Sequence, residues 1–175
     1  MTFPPAVRRA ALTLHAAASV GWIGAVLAFL ALALSGVTRT DAREVRAAYL
    51  AADLLTRDVI VPLALAALLT GVLQALGTRW GLARHYWVLI KLLLTAGATL
   101  VLLLQLPTIR ALARFALTHP LGPTDALDAR WSLVVHGSGG LLVLQVVTAL
   151  SVFKPRGTLP WPDRPTTAAR HEAQR

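Results

Sequence analysis

Apolar residues in this chain collect into four long runs, separated by short clusters of arginine, proline and glycine. The first run, Ala10 to Leu34, has no formal charge. The second helix is expected to begin near Arg46; its span covers about 55–77, with an apolar core from Val59 to Gly77. The third runs from Tyr86 to Leu106 and is expected to stop at Pro107. The fourth runs from Trp131 to Phe153 and stops at "KPRG". About 20 apolar residues cross the ~30 Å of hydrocarbon in a bilayer, so each run is long enough to span one. No period-two alternation suggests strands. The pattern therefore predicts an all-α protein, a four-transmembrane-helix bundle.

Residues 1–153 form one membrane domain on this reading, and 154–175 a polar, disordered tail. A signal peptide has an apolar core of roughly 7–15 residues, shorter than Ala10–Leu34, so the first run reads as a retained helix. In "TIRALARFALTH", Arg110 and Arg114 share one helical face while Ile109, Leu112 and Ala116 fall elsewhere. That pattern predicts a short interfacial helix between the third and fourth spans. Trp80, Tyr86, Trp87 and Trp131 sit at span ends, as an aromatic belt requires. Small-residue faces for helix packing are expected at Gly24 and Ala28, at Ala67 and Gly71, and along Gly137–Gly140.

Composition agrees: 56% of residues are hydrophobic and 14% charged, against about a quarter charged in a typical soluble domain. The net charge of +9 would suggest nucleic acid in a soluble protein, but here the arginines lie in short loops on both sides of the spans. The expected partner is the lipid bilayer, with no nucleic acid. The absence of cysteine excludes disulfides, thiolate metal sites and cysteine nucleophiles. An even number of spans puts both termini on one side, which holds nine basic residues against seven on the other. That bias predicts a plasma-membrane protein with cytoplasmic termini.

Ionisable residues inside a membrane are costly and mark function by default. The candidates are His15, Lys91 and His136, with Asp53, Arg57 and Asp58 at the entry to the second span and His85 at an interface. His15 and Lys91 each lie five residues into a helix that starts from the same side, about 8 Å deep at 1.5 Å per residue. His136 enters from the other side, so it is expected roughly 15 Å from His15 along the normal, too far to share a metal ion or haem iron. Two polar layers result. One holds His15 and Lys91, with Ser19, Trp87, Thr95 and His85 nearby. The other holds His136, Gln105, Asp53, Arg57 and Asp58. Asp53 and Arg57, spaced i, i+4, can pair, and the stripe Ala64, Ala67, Gly71, Gln74 is expected to face the bundle.

Each candidate has a plainer reading. Lys91 can snorkel its ammonium to the headgroups, His15 can simply hydrogen-bond a neighbouring helix, and Asp53–Arg57 can be a structural pair. His85 reads as solvated; His119 and His171 lie outside the spans. Phosphate loops, GxSxG elbows, HExxH motifs and carboxylate clusters with metal spacing are all missing, and no metal site is predicted.

The segments "SVGWIGAVLAFLALAL", "VPLALAALLTGVLQALGTRWGLARHYWVLIKLLLT" and "VVHGSGGLLVL…SVFKPRG" resemble an actinobacterial family of four-helix integral membrane proteins, over nearly all of residues 8–158. That likeness implies the fold and no activity. More distantly, "LHAAASVGWIGA" and "YWVLIKLLL" look like motifs of HemJ-type protoporphyrinogen oxidases and copper-resistance-D membrane proteins. In the HemJ type a first-helix histidine serves the haem and a third-helix lysine is needed for activity; carried over, these are His15 and Lys91. Members of the closer family often have histidine where this chain has Gln105, which implies that a second bis-histidine site opposite His136 is lost or weakened here. The resulting expectation is a b-type haem or redox-linked membrane protein. His15 is the first haem ligand considered, His85 and His136 are further candidates, and Lys91 is the catalytic candidate. Copper or small-solute transport is one alternative, and an accessory subunit in a homo-oligomer or larger membrane complex is another.

Overall fold

A computed structural model describes residues 3–77, 86–119, 121–122 and 124–153. These are helical throughout apart from short connections: α1 (Pro5–Thr38), α2 (Ala42–Leu55), a π-helical turn (Thr56–Ile60), α3 (Val61–Gly77), α4 (Tyr86–Thr118) and α5 (Leu127–Phe153). Four helical segments are long and apolar enough to cross a membrane, with α2, the π turn and α3 forming one continuous rod. Among the described residues, the expectation of an all-α chain with four helices long and apolar enough to span a membrane holds.

Local chemistry explains the ends. Pro5 occupies the first position of α1, where its missing N–H costs nothing. Asp41 caps α2, its carboxylate accepting from the Arg43 N–H at 2.7 Å, and Glu44 lies in the same first turn. Inside the α2–α3 rod, buried residues recur every fourth position at Ala52, Thr56, Ile60 and Ala64. An ideal α-helix turns 100° per residue, so such a row drifts about 40° at each step. The wider π turn, closed by Val61 N–H donating to Thr56 O, takes up the drift and keeps both halves facing the core.

The helices are longer than the sequence pattern suggests. At 34 residues α1 is about 51 Å long, some 20 Å more than the hydrocarbon requires. The second span begins at Ala42 rather than near Arg46, and α5 begins at Leu127 rather than Trp131. The excess is packed: Val45, Ala48, Tyr49 and Ala52 of α2 join Ile109, Leu112, Ala113 and Ala116 of α4 in the core beside the end of α1.

That packing corrects two expectations. Helix α4 does not stop at Pro107, and the separate interfacial helix does not form; Thr108–Thr118 are the last turns of α4. A proline inside a helix costs about 3 kcal/mol, whereas full burial of a leucine or isoleucine side chain contributes about 1.5–3 kcal/mol. With Ile109 and Leu112 both 3% exposed, burial outweighs the break. The amphipathic reading itself survives, since Arg110 and Arg114 stay exposed opposite this buried face.

Small residues set the close approaches, though not all where expected. Gly24 and Ala28 point away from the bundle, and a Cβ on Gly24 would meet nothing within 4 Å. The inward face of α1 is instead Ala18, Trp22, Ala25, Val26, Phe29, Ala33 and Gly36. The Ala64, Ala67, Gly71, Gln74 stripe does face α1, with Gln74 Nε2 donating to Ala11 O at 3.2 Å. Gly137 lets α5 approach α1, since a Cβ there would lie 3.3 Å from the Phe29 ring.

Ala126, just before α5, has φ 50°, a left-handed conformation that disfavours any side chain. Ala126→Gly is expected to stabilise the protein by up to about 1 kcal/mol, read as a raised unfolding midpoint in detergent.

Candidate functional site

The structure separates the candidate residues into two layers and adds a buried cluster that the sequence reading did not anticipate. In the first layer, His15 on α1 packs against α3. Its Nδ1 lies 3.0 Å from Ala67 O and 3.0 Å from Thr70 Oγ1. A carbonyl oxygen can only accept, so Nδ1 carries the proton. The Thr70 hydroxyl donates to Ala66 O of its own helix and is free to accept from the same imidazole N–H. In its neutral form the ring therefore presents an Nε2 lone pair. A Cβ on Gly71 would sit 3.2 Å from His15 Cε1, so glycine there gives the ring a close but unstrained fit.

Lys91 is half-buried and lies within electrostatic range of His15, as the depth argument anticipated. Its ammonium sits 5.2 Å from the centre of the Trp87 ring, one turn toward the start of α4. Helical side chains lean toward the helix N-terminus, so Lys91 reaches back toward the boundary from which α4 enters. Cation–π contact with Trp87 offsets part of its desolvation. His85 lies outside the described residues.

Of the second layer, Gln105 and His136 line a cavity of about 480 Å³ between α4 and α5, with α1 and the π turn behind it. Its walls are mostly apolar, from Trp22 and Phe29 to Leu94 and Val143, and its polar lining groups are Thr56, Gln105 and His136. Gln105 Nε2 donates to Ser132 Oγ at 3.1 Å. His136 Nδ1 donates to Ser132 O at 2.7 Å and lies 3.2 Å from Ser132 Oγ. His136 is thus held in the same tautomer as His15, with Nε2 turned outward.

Through its neighbour Gly137, His136 stands level with Phe29, fourteen residues along α1 from His15, or about 21 Å. The two histidines cannot share an ion or a haem, and the gap exceeds the ~15 Å expected from hydrocarbon thickness alone. Asp53 and Arg57 do pair, Arg57 Nε to Asp53 Oδ2 at 3.2 Å, while Asp53 Oδ1 is buried with no hydrogen-bond partner. Neither these two nor the exposed Asp58 lines the cavity.

The unanticipated cluster centres on Arg130, read from the sequence as a loop charge but only 1% exposed. Its Nη2 donates to Gly36 O at 2.6 Å, its Nε to Tyr49 Oη at 3.1 Å and its Nη1 to Gly122 O at 2.9 Å. Gly36 O is among the last carbonyls of α1, which lack intrahelical donors and carry the negative end of the helix dipole. Arg46 does the same for α4, donating through Nη2 to Leu117 O. Two helix ends are thereby capped by arginines of neighbouring helices. The only hint in the sequence is a glycine near the end of the first apolar run.

Among the described residues, no group of three or more histidine, aspartate or glutamate side chains converges to hold a metal. No protein-family model, curated protein or solved structure matches the chain.

Proposed function

We propose that this is a multi-pass plasma-membrane protein linked to redox chemistry, holding a b-type haem in the layer of His15 and Lys91. The observation that carries this reading is the His15 imidazole, fixed through Nδ1 to the Ala67 carbonyl with Nε2 left to bind. A backbone carbonyl on the far ring nitrogen sets the tautomer of a ligating histidine and raises its basicity. Lys91, in the same layer, is the cation for a haem propionate. Bound haem supplies the one-electron chemistry, and the chain orients and holds it. The likeness of the first and third spans to HemJ-type proteins supports the same two residues.

Copper handling is less well supported, because the chain has no cysteine and Met1 is its single methionine, leaving few soft ligands. Cytoplasmic termini belong to the proposal too. With Arg130 buried and removed from the count, the bias becomes nine basic residues against six.

The optical spectrum of protein purified from haem-replete cells tests the proposal. A Soret band is expected, lost in His15→Ala and retained in His136→Leu. Colourless protein under those conditions would overturn it.

A further inference from the structure

The cavity between α4 and α5 belongs to the other layer, and haem at His15 does not account for it. Its polar lining groups are not evenly spread. Gln105 and His136 mark one end, while the apolar wall continues along α4 as far as Leu93, twelve residues or about 18 Å from Gln105. The shape suits a molecule with a polar head and an apolar body.

Hydrogen-bond bookkeeping narrows the head. The Thr56 hydroxyl donates its proton to Ala52 O at 2.7 Å, so toward the cavity it can only accept. One N–H of Gln105 goes to Ser132 Oγ, and His136 Nδ1–H goes to Ser132 O. What these two residues still present includes two acceptors, His136 Nε2 and Gln105 Oε1, with one remaining amide N–H. A hydrocarbon chain would leave both acceptors bare, and a quinone would oppose them with acceptors of its own. A hydroxyl donates its one proton to one of them and accepts from the remaining amide N–H.

The cavity is open between α4 and α5. Gly97 of α4 and Gly139 and Gly140 of α5 line the cavity, and a Cβ on any of them would meet nothing within 4 Å. Side chains there would narrow the gap between the two helices.

We propose that this cavity binds a lipid-borne amphiphile with a ring hydroxyl, the chemistry of an alkylated hydroquinone, whose hydroxyl donates to His136 Nε2. The apolar tail lies along α4 and α5 toward the middle of the bilayer. This goes beyond the haem reading and does not depend on it.

The test is equilibrium binding of radiolabelled decylhydroquinone and of its dimethyl ether to the full chain in nanodiscs, with empty discs subtracted. Protein from haem-depleted cells is used, so the result is independent of any Soret band. The hydroquinone is expected to bind about five- to tenfold tighter than the ether, the scale of one net hydrogen bond. His136→Leu should erase that preference. Gly140→Phe should abolish binding of both compounds, and Leu94→Phe, which narrows the cavity from α4, serves if the glycine variant does not fold. Equal binding of hydroquinone and ether would overturn the proposal, as would binding indifferent to the cavity-filling variant.

Discussion

Arg130→Met is expected to lower stability by about 2–5 kcal/mol, the scale of leaving two buried carbonyl acceptors without a donor. The guanidinium bridges the end of α1, the ring of α2 and the loop before α5. Without it, Gly36 O and Gly122 O lose a charged donor, and each buried acceptor left unsatisfied costs about 1–3 kcal/mol. Methionine replaces the apolar contacts of the stem but none of the five N–H donors. Arg130→Lys should recover only part of the loss, because three donors on one nitrogen cannot reach acceptors spread around a planar fork. The unfolding midpoint of purified protein in mild detergent, followed by circular dichroism, measures all three forms. A midpoint for Arg130→Met within error of wild type would show that the cluster contributes nothing.

The second large effect is expected at Gly36, on the other side of the same contact. A Cβ there would clash with the hydroxyl end of the Tyr49 ring, 2.6 Å from its Oη. Both residues are buried, so neither can swing into open space. Gly36→Ala must push α1 away from α2 or displace the ring, and either movement breaks the Arg130 contacts to Gly36 O and Tyr49 Oη. Overpacking of this kind costs about 1–3 kcal/mol, and loss of the hydrogen bonds adds to it. Tyr49→Ala removes the obstacle. Gly36→Ala should therefore cost much less in a Tyr49→Ala background than alone, a coupling that a double-mutant cycle reads directly. Additive effects would mean that the close approach is not what Gly36 provides.

Both experiments probe the part of the molecule that was hardest to read in advance. Arg130 precedes Trp131 at the start of an apolar run, which by local pattern is a loop charge beside an aromatic belt residue. Its burial depends on Gly36, 94 positions away, and on Tyr49, 81 away. Pro107 misled for the same reason. Its local effect is to break a helix, and only contact with α2 shows that Ile109 and Leu112 hold the helix together beyond it. Gly24 and Ala28 have the spacing of a packing face, but spacing does not say which side of a helix its neighbours occupy.

Other parts of the site were legible. His15 and Lys91 were assigned to one layer, and they lie within electrostatic range of each other. The Asp53–Arg57 pair follows from its i, i+4 spacing, and the inward stripe from Ala64 to Gln74 from helical periodicity. Gln105 and His136 were assigned to one layer, and Ser132 links them. The cavity beside them was not foreseen, because it is the space left between α4 and α5 and no residue encodes it alone.

The sequence by itself determined an all-helical chain with four stretches long and apolar enough to cross a membrane, because transfer into hydrocarbon is a sum over local residues. Tertiary structure alone decided which faces meet, which helix ends are capped by arginine and where a ligand-sized space remains. Those outcomes depend on short contacts between residues far apart in the chain, where a shift of one ångström changes a hydrogen bond into a clash.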